Sequence, residues 1–342
     1  MSARVRLWAG VAVSLVFLAF ALRGLELDTF WSELQGAEYI WLVPGVAVYF
    51  MAVWVRTWRW QTMLAHIEFV PLRRLFPIVC IGYMGNNIYP ARAGEFLRSF
   101  VLRRETGIRM SASLATVVVE RLFDGLVMLL FIFVALPFVR FESNPLEEYR
   151  DLIAFATIAF LGALAVALFL AARPQLVQGV YRRAVALIVP GAHHDTVLQS
   201  LDRFTLGFES LSRGREVVLI FCTSVLIWLF ETLKYWFVMH AFPFQVSFLT
   251  LMLVNGVVNL ATSIPAAPGY IGTFDLPAIR ILGRANVSQP VATAYVAVLH
   301  VALWLPITAL GGYYMWRSHI SFSQARAAID AEREAQEAAA AS

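Results

Sequence analysis

Asn86-Asn87-Ile88-Tyr89-Pro90-Ala91-Arg92-Ala93-Gly94-Glu95-Phe96-Leu97-Arg98 closes an apolar run that begins near residue 75. The run is interrupted by Gly82, Gly85, Asn86, Asn87 and Pro90. Arginines flank it on both sides: Arg56, Arg59, Arg73 and Arg74 before it, and Arg92, Arg98, Arg103, Arg104 and Arg109 after it. Arginine-rich loops stay on the cytoplasmic face of a membrane. An apolar segment with both ends on that face enters and leaves from the same side, so the sequence predicts a broken, re-entrant helical hairpin over 75–102. Backbone groups freed by Gly and Pro at membrane depth need protein or a wet cavity around them, not lipid. That places the tip, shaped by Pro90 and Gly94, inside the protein.

A second apolar run, 248–264, is damaged in the same manner by Asn255, Gly256, Asn259, Ser263 and Pro265, and predicts a hairpin over 248–283. Its tip residues are Pro265, Pro268, Gly269 and Gly272. An offset of 175 residues aligns Pro90-Ala91-Arg92-Ala93-Gly94-Glu95 with Pro265-Ala266-Ala267-Pro268-Gly269-Tyr270. The same offset pairs Arg56 with Glu231, Arg59 with Lys234 and Glu120 with Tyr295. Three full spans lie between the hairpins, and an odd number inverts the second copy. Gly/Pro-interrupted segments at matching places in two inverted halves point to a transporter's central site.

Bulk composition agrees with a membrane protein. Of 342 residues, 60% are hydrophobic and 15% charged, against roughly 25% charged in soluble domains. Mean hydropathy is +0.69. So few polar residues cannot cover a soluble enzyme's surface, and such hydrophobicity excludes disorder. The apolar runs are continuous, which argues against a transmembrane β-barrel. Runs long enough to cross about 30 Å of hydrocarbon lie near 7–23, 39–58, 112–137, 152–172, 217–241 and 290–316. The expected fold is therefore an all-α polytopic membrane protein. It has about six full transmembrane helices and two re-entrant hairpins, arranged as an inverted repeat.

Arg4 and Arg6 put the N-terminus inside, the acidic loops 24–38 and 138–151 read outside, and the C-terminus returns inside. Residues 1–24 carry no small-residue cleavage site after the apolar run, so they read as a retained span, not a signal peptide. Half one covers about 7–137 and half two about 152–317, together one transmembrane domain over 1–317. The arginine-rich loop 173–216 reads as cytoplasmic amphipathic helix, and 318–342 as a polar cytoplasmic tail. Net charge is +4, almost all of it arginine; in such a chain it sets orientation and implies no nucleic-acid partner. Cys80 and Cys222 have no paired spacing, so neither a disulfide framework nor a zinc site is expected.

Several charges lie at bilayer depth. Glu120, Arg121 and Asp124 occupy the first half of the span 112–137. Glu120 and Asp124 share a helical face and Arg121 can neutralise Asp124. At mid-bilayer each charge costs roughly 2.5–3.5 kcal/mol, so the three must face protein or water. Two readings follow: an ion-pair cluster pinning this helix to the hairpin arginines, or a hydrated path for a lipid headgroup or a proton. Glu231 and Lys234 form an i,i+3 pair within the span 217–241, and Lys234 is the chain's sole lysine. An ammonium sheds its proton when desolvated and guanidinium does not, which makes Lys234 a candidate for proton coupling. In the first hairpin Asn87 offers amide donors, and Arg92 and Arg98 suit phosphate, as planar guanidinium does. Glu95 pairs with either arginine or meets an amine-bearing headgroup. His193-His194-Asp195 is a weak metal candidate. His240 and His300 lie near span ends or within a span, and His300, among apolar residues, reads as a hydrogen-bonded packing residue.

With these motifs in place, the chain resembles the lysylphosphatidylglycerol synthase transmembrane-region family, also called flippase-like domain proteins. The resemblance rests on N-I-Y-P-A-R-A-G-E-F-L-R at 87–98 and G-I-R-M-S-A-S-L-A-T-V-V-V-E-R-L-F-D-G-L at 107–126. S-I-P-A-A-P-G-Y-I-G-T-F-D at 263–275 matches in character, and the whole spans roughly 7–317. It implies lipid translocation without naming the lipid. Family members include the membrane part of proteins that aminoacylate phosphatidylglycerol, and others are fused to glycosyltransferases acting on polyprenyl-phosphate sugars. No soluble synthase-like domain follows residue 317, so a stand-alone member is expected.

The expectation is a translocase of the cytoplasmic membrane. It would move an anionic phospholipid, aminoacyl-phospholipid or polyprenyl-phosphate-linked precursor between leaflets, with a lipid-modifying synthase or glycosyltransferase as possible partner. Asn87, Arg92, Glu95, Arg98, Glu120, Arg121, Asp124, Glu231 and Lys234 are the candidate substrate residues. No cofactor and no catalytic residue is expected. The alternatives are a non-transporting subunit of a glycolipid assembly and an intramembrane headgroup-modifying enzyme. The sequence does not set an oligomeric state.

Overall fold

Leu42–Leu64 forms one unbroken helix that runs past the expected end at 58. In the computed structural model the described residues are 25–89, 92–139, 150–173, 178–183, 213–262 and 268–320. Isolated positions at 185, 198, 201, 211, 324 and 327 complete the set. The expected span 7–23, Pro90, Pro265, most of the loop 173–216 with His193, His194 and Asp195, and most of the tail 318–342 lie outside them. Among the described residues all regular structure is helical: α1 Leu27–Gly36, α2 Leu42–Leu64, α3 Leu72–Ile88, α4 Gly94–Thr106, α5 Met110–Ala135, α6 Arg150–Ala172, α7 Gly214–Met239, α8 Phe248–Ala261, α9 Asp275–Arg284 and α10 Gln289–Arg317.

Length and hydropathy make four segments candidate membrane spans: Tyr39–Leu64, Ile153–Leu170, Gly214–Met239 and Gln289–Arg317. The chain is thus a multi-pass membrane protein. Its 26 residues make α5 about 39 Å long, enough to cross, but it carries Glu120, Arg121 and Asp124. Ile153–Leu170 has the highest hydropathy of the four and only 17% of it is buried, so α6 is the peripheral, lipid-facing helix.

The two damaged runs become short helices. At 1.5 Å per residue, the 17 residues of α3 and the 14 of α8 reach about 25 Å and 21 Å, short of the hydrocarbon thickness. In the first hairpin α4 packs side by side with α3. Gly82, Gly85 and Gly94 make that approach possible. A Cβ at Gly94 would collide with the Gly82 carbonyl, and one at Gly85 would sit 2.7 Å from the Gly94 Cα. The arm α4 ends where Gly107 takes a left-handed φ of 82°, a glycine helix stop. On the other hairpin, the Ser247 side chain caps α8 by accepting the Thr250 N–H at 3.1 Å. After the tip, α9 runs on to α10.

Each hairpin docks on a long helix of the opposite end of the chain. The α3 arm crosses α10 at Gly311, where a Cβ would lie 2.5 Å from the Cys80 carbonyl oxygen. Reciprocally, α8 crosses α5 at Gly256, where a Cβ would lie 3.0 Å from the Met128 carbonyl oxygen. The long helices α2 and α7 pack along one another between them. One apolar core gathers α5 with α7–α10 around Val127, Ile132, Val254, Val257 and Tyr295. The other gathers α2–α5 around Trp60, Leu75, Ile81, Leu97 and Val119.

Candidate functional site

Arg56 and Arg59 correct the sequence reading most directly. They were expected as charges of a cytoplasmic loop; because α2 continues to Leu64, both are buried on its inner face. Arg98, likewise expected in a flanking loop, is buried on α4. Buried charges must be paired, and these are. Arg59 donates to Asp124 Oδ1 at 2.7 Å and to Ser224 Oγ at 2.5 Å, and its other nitrogen faces Glu120 at 3.6 Å. Arg98 donates to Glu120 Oε2 at 2.5 Å and stacks over the Trp60 ring at 4.3 Å. The Trp228 indole donates to Asp124 at 3.0 Å.

From Asp124 the network continues. Arg56 lies 3.4 Å from Asp124 and 3.6 Å from Glu231, and Glu231 pairs with Lys234. A branch runs from Asp124 to Arg121 at 3.3 Å, to Glu95 at 3.4 Å and to Arg92 at 4.0 Å. Arg56 and Glu231, matched by the 175-residue offset, are direct partners between α2 and α7. The ionic spine thus holds six cations, Arg56, Arg59, Arg92, Arg98, Arg121 and Lys234, against four carboxylates, Glu95, Glu120, Asp124 and Glu231. Two positive charges remain in excess.

Beside this spine lies a cavity of about 140 Å³ between the hairpin tips and α2, α7 and α10. It divides the expected set. Asn87, Arg92, Arg121, Glu231 and Lys234 line it; Glu95, Arg98, Glu120 and Asp124 do not, and serve as their partners or partners' partners. Residues that sequence reasoning missed complete the wall: Arg56, Tyr49, Tyr83, Trp228, Tyr270 and Trp304. Only the 175-residue offset singled out Arg56, and the aromatics were indistinguishable from the many others in an apolar chain. Arg56 sits over the Trp228 ring, Lys234 over Tyr49 and Arg92 over Tyr270, at 5.3, 4.5 and 5.8 Å from the ring centroids. Such faces attract cations. The Tyr83 hydroxyl, the Asn86 amide oxygen and the Nε atoms of Arg56 and Arg92 are buried here without hydrogen-bond partners.

The tips meet at this cavity. Arg92, at φ 53°, reaches the Thr262 carbonyl at 3.4 Å. The Asn87 amide donates to Thr308 at 2.8 Å, and the Trp304 indole donates to the Asn87 carbonyl at 3.4 Å. Gly94 closes the first tip, and Gly269 and Gly272, at φ 75° and 83°, bend the second beside Pro268. His300 is hydrogen-bonded, as expected of a packing residue: its nitrogens lie 2.8 Å from Asp275 and 2.7 Å from the Gly269 carbonyl. Asp275 also accepts the Gly272 N–H at 2.7 Å.

Comparison with known proteins agrees with the motifs. Residues 7–311 match the lysylphosphatidylglycerol synthase TM region. A UPF0104 membrane protein of Methanothermobacter thermautotrophicus is 26% identical over 318 residues, covering 88% of this chain and 92% of that protein. One from Methanocaldococcus jannaschii is 22% identical over 308 residues, covering 87% of this chain and 91% of its own length. Glycosyltransferase AglD of Haloferax volcanii is 23% identical over 340 residues, covering 90% of this chain but 54% of AglD. No solved structure matches. On the extent of the first of these matches, the chain belongs to the lysylphosphatidylglycerol synthase transmembrane-region family.

Proposed function

We propose that this protein moves a phosphate-bearing lipid between the leaflets of the cytoplasmic membrane, with the headgroup travelling through the cavity between the hairpin tips. The observation that carries this reading is the charge imbalance. A spine with two cations in excess borders a cavity where arginine Nε groups, a tyrosine hydroxyl and an asparagine oxygen have no partner. A phosphate supplies the missing negative charge and acceptors, and its hydroxyl-bearing substituents suit the remaining polar atoms. Burial of so many charges without this use is costly.

The architecture we infer is an inverted repeat of opposite membrane orientations, with both hairpins re-entrant. Its support is the matching order of long, short, short and long helices in α2–α5 and α7–α10, and the reciprocal docking of α3 on α10 and α8 on α5. The similarity to AglD favours a polyprenyl-phosphate-linked sugar among the candidate cargoes. The same similarity supports a second reading, a non-transporting subunit beside a glycosyltransferase.

Purified protein in phosphatidylcholine liposomes tests the proposal. The measurement is the rate at which fluorescent anionic phospholipids and polyprenyl phosphates become accessible to an impermeant quencher. Acceleration of a phosphate-exposing lipid over labelled phosphatidylcholine is expected. Folded protein that accelerates none of them overturns translocation and leaves the subunit reading.

A further inference from the structure

We propose that one hydrocarbon chain of the transported lipid is held by the protein itself, in an apolar pocket that shares a wall with the polar cavity. The proposal rests on the headgroup reading above and extends it to the other end of the molecule. The pocket lies between α1, the second hairpin tip and α10. At about 640 Å³ it is more than four times the volume of the cavity beside it, and it falls within the range of small-molecule sites.

Its lining is mostly apolar, and it shares a polar-edged wall with the cavity. Asn87, Gly269, His300 and Trp304 line both spaces and form the partition. The rest of the lining is apolar, with Phe30, Ile88, Ile271, Ile279, Val296 and Val301 among it, except for Asp275, which is hydrogen-bonded to His300, and Thr293. Ile279 and Val296 are buried on its inner side, whereas Ile271 and Val301 are 47% and 57% exposed and mark its open side. An apolar pocket abutting a cationic cavity matches an amphiphile: anionic head on one side of Trp304, chain on the other.

The partition is also held by contacts that can part. Trp304 and Asn87 exchange single hydrogen bonds, and His300 ties α10 to the second tip through Gly269 and Asp275. None of these is a buried ion pair between arginine and carboxylate, unlike the spine behind the cavity. A lipid entering sideways through the open side slides its head past Trp304 while its chain stays in the pocket.

The test is a series of water-soluble alkyl phosphates, butyl to octyl, with inorganic phosphate as the chainless reference. Their binding to the full chain is measured in phosphatidylcholine nanodiscs. Burial of one methylene tightens binding about three- to fourfold. Partition into the nanodisc lipid contributes a similar increment, so the readout is the difference between wild type and pocket variants. Ala297→Trp fills the pocket from its wall, and Val301→Trp blocks the open side from an exposed position whose change spares the core.

The expected result is a steep chain-length gain in wild type that flattens in both variants, with inorganic phosphate bound equally by all three. An equal gain in wild type and both variants overturns the proposal, because the chain then lies in surrounding lipid. Phosphate binding with no chain-length gain overturns it too, while leaving the headgroup site standing. No binding of any probe, phosphate included, overturns the headgroup reading and this one with it.

Discussion

Asp124 and Arg92 are both charged and both belong to the ionic spine, yet they should respond oppositely to substitution. Asp124 is buried and receives Arg59, Arg56, Arg121 and the Trp228 indole. In Asp124→Asn three guanidinium groups lose the carboxylate they share, and each keeps only one longer ion pair, Arg59 with Glu120, Arg56 with Glu231 and Arg121 with Glu95. Breaking a buried pair in this way costs about 3–5 kcal/mol, so thermal unfolding in detergent should shift sharply down. Arg92 lines the cavity, is 28% exposed, and holds its carboxylate partner Glu95 only at 4.0 Å. Arg92→Gln should cost no more than about 1 kcal/mol of stability. It should lower lipid transport about tenfold, the worth of one charge-assisted hydrogen bond to phosphate. If Asp124→Asn keeps wild-type stability, or Arg92→Gln keeps wild-type transport, the division into supporting and lining residues is wrong.

Sequence legibility at this scale followed charge visibility. Glu120, Arg121, Asp124, Glu231 and Lys234 stood out because apolar neighbours surround them, and all five fall in the spine. Arg56 and Arg59 did not stand out. They lie near the end of an apolar run, where an arginine normally marks the membrane surface, and only the extra turns of α2 to Leu64 put them inside.

At the scale of elements, the glycines carry the argument. The first hairpin closes because Gly82, Gly85 and Gly94 let two helices touch backbone to backbone. Gly94→Ala forces the arms apart; overpacking of this sort costs about 1–3 kcal/mol, visible as a lower unfolding temperature. Gly162→Ala is the matched control on lipid-facing α6, where a new Cβ meets nothing within 4 Å. It should be neutral or slightly stabilising, since alanine is the better helix former. Equal effects at the two positions would remove the packing explanation. That both runs form short helices was legible in the sequence because Gly, Asn and Pro interrupt the apolar runs at unusual density. Helix α5 was legible despite its charges. The tip glycine Gly94, read as a turn former, turns out to be a packing residue as well: what it meets is the Gly82 carbonyl, a partner twelve residues away that no local pattern reveals.

For the whole molecule, the testable property is orientation. If the halves are inverted, the ends of hairpin one open on one side of the membrane and those of hairpin two on the other. Single cysteines at exposed Arg74 and Arg109 should react with an impermeant maleimide from the same side, and cysteines at exposed Ser247 and Ser288 from the opposite side. Cys80 is buried and stays silent; Cys222 is replaced by serine in the background. Labelling of all four from one face, or a split within either pair, would exclude the inverted repeat. Arginine placement and the 175-residue offset are what point to this arrangement in the sequence, and the labelling pattern decides it. The sequence did not foresee that α2 and α7 join along the middle, because that contact depends on charges paired between distant stretches of chain.

That joint has a mechanical consequence. Arg56 holds Glu231, Arg59 holds Ser224, and Trp228 holds Asp124, so the two halves are bolted together by buried polar bonds at their centre. Rocking one half bodily against the other would have to shear those bolts, at about 3–5 kcal/mol for each buried ion pair broken. The hairpin tips are held by hydrogen bonds, from Asn87 to Trp304 and Thr308, from Arg92 to Thr262, and between His300 and both Gly269 and Asp275. On the proposed function, the parts expected to move are therefore the two small tips, swinging on a fixed frame, first one and then the other, like the paired doors of a canal lock.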